Sequence, residues 1–71
     1  MSEKPIEKFI GVYVRSPENT DCKVRGFTLM SEAQILYQSE RSRLSDRPGW
    51  SAVMKLESWR GDELISAEEM P

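Results

Sequence analysis

Residues 6–15, IEKFIGVYVR, place Ile6, Ile10, Val12 and Val14 at even positions. This period of two is the mark of a strand with one buried face. The odd positions Phe9 and Tyr13, on either side of Gly11, make the opposite face partly aromatic. The polar run SPENTD at 16–21 predicts a turn. Residues 22–29, CKVRGFTL, read as a second strand with Cys22 and Val24 facing the core and Lys23 and Arg25 facing out. A glycine inside a strand pattern often marks a bulge. One at Gly26 turns Phe27 and Leu29 inward.

The pattern then changes period. Over residues 31–45, SEAQILYQSERSRLS, the positions Ala33, Leu36, Tyr37, Glu40 and Leu44 follow helical spacing and form one stripe. Ser31 and Gln34 have the spacing of a capping box, and Met30 and Ile35 that of a hydrophobic staple. Glu32 suits the positive end of the helix dipole, and Arg41, Arg43 and Arg47 the negative end. Residues 46–49, DRPG, stop the helix.

Alternation returns at residues 50–59, WSAVMKLESW. Trp50, Ala52, Met54 and Leu56 share one face; Val53, Lys55, Glu57 and Trp59 share the other. Arg60, Gly61 and Asp62 form a turn, and residues 63–66 return as a short edge strand. Short, right-handed connections put the third strand beside the first. The expected fold is α+β: a small antiparallel sheet of three to four strands, ββαβ(β), in the order 2-1-3-4, with one helix on one face. The whole chain, 1–71, is one domain, with 1–5 and 67–71 loose.

Composition limits the chemistry. A chain of 71 residues has little core, and its usual staples are missing: it has one cysteine, Cys22, and no histidine. The lone thiol reads as a small core side chain in a reducing compartment. No apolar run approaches the roughly 18 residues of a membrane span. The N-terminus lacks the apolar region of a signal peptide, so a cytoplasmic protein is expected. Ten basic and twelve acidic residues give a net charge of −2, too balanced for the basic footprint of most nucleic-acid binders.

No catalytic constellation emerges: without histidine the serines lack their commonest base, and they lie in turns, caps and helix surface. The expectation is no enzyme, no metal and no cofactor. Arg60-Gly61-Asp62 spells an integrin-binding tripeptide, but so short a match is read as a turn. Glu40, within the apolar stripe, should lie at its rim and pair with a neighbouring cation. The informative surface is the face of the sheet turned away from the helix. It is expected to display Phe9, Tyr13, Lys23, Arg25, Val53, Lys55 and Trp59, a mixture of aromatics and cations suited to a protein interface. The cluster Arg41, Arg43 and Arg47 at the helix end is a second candidate for partner contact.

The order of elements resembles that of small phage-encoded proteins that disable bacterial machinery, both the inhibitor of bacterial RNA polymerase and some anti-CRISPR proteins. The matching stretches are Phe27-Thr28-Leu29-Met30-Ser31-Glu32-Ala33 and Gly49-Trp50-Ser51-Ala52-Val53-Met54-Lys55-Leu56, which with the first hairpin cover about residues 9–59. The resemblance implies a non-enzymatic binder that occludes a larger bacterial complex such as a CRISPR-Cas effector or RNA polymerase. Two alternatives stay open. One is a nucleic-acid-binding module with Lys23, Arg25 and Lys55 on phosphates and the aromatics on bases. The other is a homodimer whose open faces pair.

Overall fold

The computed structural model describes residues 4–70. Four strands and one helix follow in the order β1 (Ile6–Arg15), β2 (Asp21–Phe27), α1 (Met30–Leu44), β3 (Ser51–Arg60) and β4 (Glu63–Glu69). All three strand pairs are antiparallel, and the sheet order is β2-β1-β3-β4. The helix carries the chain from β2 across β1 to β3, as the alternation and the short connections require. It rests mainly on β1 and β3. Among the described residues, no helix is long and apolar enough to cross a membrane.

The core lies between α1 and the even-numbered face of the sheet. Ile10, Val12 and Ala33 form its centre, with Phe27, Leu36, Tyr37, Met54, Leu56 and Met70 packed against it. Val14 and Leu44 are also buried. The helical stripe therefore faces the sheet as its spacing predicts. Glu40 sits at the rim of that stripe, paired with Arg43 through Arg43 Nε at 2.8 Å.

The helix starts differently from the expected capping box. Its N-cap is Leu29, which has no capping side chain, and the Ala33 N–H closes the first turn on the Leu29 carbonyl at 3.1 Å. Starting there draws Ser31 into the first turn, where its hydroxyl makes no cap bond. The staple is also absent: Ile35 is 72% exposed.

Strand β2 contains the expected irregularity, but one turn of the pleat earlier. Val12 pairs with Arg25 and Tyr13 with Lys23, so Val24 is the extra, unpaired residue, and Gly26 pairs regularly with Gly11. The bulge turns Phe27 onto the core, as expected, yet it carries Arg25 with it to the helix side. Leu29, beyond the strand, stays 57% exposed. Cys22 is exposed as well, because β2 is an edge strand that the helix barely reaches.

The C-terminal strand runs further than its sequence suggests. Beyond residue 66, Ala67, Glu68 and Glu69 pair with Glu57, Leu56 and Lys55, and the Met70 N–H donates to the Met54 carbonyl at 2.8 Å. Met70 then tucks its side chain against the core. Of the segments expected to be loose, Met1, Ser2, Glu3 and Pro71 lie outside the described residues.

Candidate functional site

The face away from the helix is organised around a carboxylate. Along β1, Phe9, Gly11 and Tyr13 point to this face; along β3, Val53, Lys55, Glu57 and Trp59 do. Lys23 joins them from β2, opposite Tyr13. Glu57 is completely buried although no helix covers it. Its neighbours close over it instead. Oε2 accepts a hydrogen bond from the Tyr13 hydroxyl, and Oε1 accepts from Lys23 Nζ at 2.9 Å and from the Trp59 indole N–H at 3.0 Å.

Two glycines make this possible. Gly11 and Gly26 are cross-strand partners, leaving a trough without side chains across β1 and β2. The Glu57 carboxylate lies over Gly11, and Lys23 reaches towards it over Gly26, whose Cβ would stand 3.3 Å from Nζ. Lys23 Nζ also lies 5.2 Å from the centre of the Trp59 ring, a cation–π contact that fixes both groups.

A second cluster adjoins the first. Asp21 accepts from Arg15 Nε at 2.7 Å and pairs with Lys55 Nζ at 2.8 Å. Arg15 Nη2 reaches Glu69 Oε2 at 3.0 Å, which ties the two edge strands together across the sheet. Lys55 Nζ lies 4.6 Å from the centre of the Tyr13 ring, linking this cluster to the one around Glu57.

The electrostatics follow from these contacts. Burial pushes the Glu57 carboxyl up, but hydrogen bonds from Tyr13, Trp59 and Lys23 outweigh it and hold the group below its ordinary value of 4.5. Burial, and then donation to that carboxylate, raise the Tyr13 phenol well above 10.0. Hydrogen bonds from Arg15 and then Lys55 hold Asp21 well below 3.8. Glu57 is thus an anchor ionised at neutral pH, with three donors on it. The alternation places Glu57 on this face without marking it as the centre of a hydrogen-bonded cluster. Its visible signal was an acid alternating in phase with Lys55 and Trp59 on a strand whose neighbour carries Gly11.

Of the expected site residues, Tyr13, Lys23, Lys55 and Trp59 come together on this face, with Phe9 beside Glu57 on the neighbouring strand. Arg25 does not: it lies near the Phe27 ring, beside the helix residues Glu32, Ile35 and Leu36, because the Val24 bulge reverses its side. The arginines of the helix end also separate. Arg43 pairs with Glu40, while Arg41 and Arg47 line a cleft with Trp50. Among the described residues, no three Cys, Asp or Glu side chains converge to hold a metal ion.

No protein-family model, curated protein or solved structure matches this chain.

Proposed function

We propose that this chain is a small non-enzymatic binding protein whose open sheet face docks on a protein partner. It acts by occluding a larger complex, in the manner of the phage-encoded inhibitors that its element order resembles. The observation that carries this reading is the internal pairing of the cations on that face. Arg15, Lys23 and Lys55 are matched by Asp21, Glu57 and Glu69. A phosphate backbone is held by cations that release counterions on binding. Lysines already paired with buried or half-buried carboxylates are poor agents for that. Aromatic side chains held rigid by hydrogen bonds and cation–π contacts instead suit a protein interface, where Trp, Tyr and Arg dominate the binding energy and rigidity lowers the entropic cost.

Affinity capture from a bacterial lysate, with wild type and Trp59→Ala in parallel, tests this reading once circular dichroism shows that the variant is folded. The expected result is a specific prey retained by the wild type, lost with Trp59→Ala, and little affected by added salt. A titration with single-stranded oligonucleotides at low and at physiological salt separates the alternative. Tight binding that falls steeply with salt would replace the protein partner with nucleic acid.

A further inference from the structure

At the opposite end of the core from the helix start, the chain builds a cleft of about 440 Å³. It is a different place from the Glu57 face, on the helix side of the sheet. Arg41, Arg47, Tyr37, Trp50 and Ser51 line it, and no carboxylate does. Ion pairs among the described residues engage Arg15, Lys23, Arg43 and Lys55 but neither Arg41 nor Arg47. Two guanidinium groups therefore stand uncompensated around one concavity, in a chain whose net charge is −2.

The local backbone opposes an anion here less than a bare helix end would. The negative pole of a helix end would oppose an anion. Here the Ser45 hydroxyl donates to the Ser42 carbonyl at 2.8 Å and the Arg47 N–H to the Leu44 carbonyl at 3.0 Å, so these two carbonyls have partners. Gly49, with φ of 85°, turns the chain back against Pro17 and delivers Trp50 to the cleft wall. Trp50 is 39% exposed, and the Arg41 guanidinium lies 5.7 Å from the centre of the Tyr37 ring.

We propose that this cleft binds a mononucleotide, with its phosphate on Arg41 and Arg47 and its base stacked on Trp50. Guanidinium forks match phosphate oxygens in geometry and charge. An exposed indole offers a stacking surface worth a substantial part of base affinity. The volume falls within the range of small-molecule sites, roughly 300–1,000 Å³. A longer strand is disfavoured because Arg15, Lys23 and Lys55 on the other face are already paired with carboxylates.

The test is a nuclear magnetic resonance titration that follows the two indole N–H signals, which report Trp50 and Trp59 separately. Adenosine monophosphate is expected to shift the Trp50 signal saturably and to leave that of Trp59 in place. Arg41→Gln and Arg47→Gln, both at exposed positions, should each weaken binding by about tenfold, the loss of one charge-assisted contact. Trp50→Leu, which removes that reporter and is followed by isothermal titration calorimetry, should weaken the nucleotide but leave inorganic phosphate unaffected, and adenosine without its phosphate should bind far more weakly. An unmoved Trp50 signal, or an affinity unchanged in the Arg41→Gln/Arg47→Gln double variant, overturns the proposal. So does a single-stranded oligonucleotide that binds much more tightly than the mononucleotide.

Discussion

The carboxylate of Glu57 occupies the space that a side chain on Gly11 would need. A methyl group at Gly11 would stand 2.6 Å from Glu57 Oε2 and 2.6 Å from Tyr13 Cε1. Gly11→Ala should therefore cost about 1–3 kcal/mol, the usual penalty of overpacking. Glu57→Asp draws the carboxylate back by one methylene. Urea unfolding of both single variants and the double should give a coupling clearly above the ~0.5 kcal/mol expected of independent sites.

Glu57→Ala leaves Lys23 Nζ and the Tyr13 hydroxyl without their acceptor. Lys23, whose side chain is 38% exposed, falls back on solvent, so the cost lies in the Tyr13 hydroxyl and the Trp59 indole N–H left unpaired, about 1–3 kcal/mol each. A core this small supplies about 3–5 kcal/mol in all. The variant should unfold at a far lower urea midpoint than the wild type, followed by circular dichroism. Tyr13→Phe removes one charge-assisted bond and should lose only about 1–3 kcal/mol, keeping the fold with a lower urea midpoint.

The same contacts set the response to pH. The carboxyls of Glu57 and Asp21 are both lowered by folding from ordinary values of 4.5 and 3.8. Their contribution is complete above those values and is lost as pH falls through the lowered folded ones. Tyr13 behaves oppositely: its phenol is raised above 10.0, so the unfolded chain ionises first and stability drops as pH climbs past 10. Thermal melts across pH should show a plateau through neutrality with a falling limb on each side. Tyr13→Phe should flatten the alkaline limb.

Ser31→Ala should change stability by less than ~0.5 kcal/mol, although loss of a working N-cap typically costs about 1 kcal/mol. The difference arises because Leu29, not Ser31, holds the cap position. Ala33→Leu, two residues on at a site with no exposure, should cost about 1–3 kcal/mol. Thermal denaturation of the two variants side by side checks both.

Met70→Ala should cost on the order of 1 kcal/mol, a fraction of the 2–5 kcal/mol seen for fully buried methionines, since Met70 is half-buried against the core. A frayed end would give no change. Urea unfolding decides between them.

The sequence by itself determined the elements, their order and the two faces of the sheet. Alternation at Ile10, Val12 and Val14, and helical spacing at Ala33, Leu36, Tyr37 and Leu44, are properties of neighbouring residues that act through a fixed local geometry. They also brought Tyr13, Lys23, Lys55 and Trp59 to one surface. What the tertiary structure decided was pairing. Whether the bulge fell at Val24 or Gly26 depended on Gly26 meeting Gly11 across the strands, and that choice sent Arg25 to the helix side. Whether β4 ended at residue 66 or at Glu69 depended on what lay beside it in β3. Alternation put Glu57 on the outer face with Val53, Lys55 and Trp59, and only its neighbours from β1 and β2 made it a buried centre. Burial of a charge is a sum over partners brought in from 34 and 44 residues away, and no local pattern carries that sum.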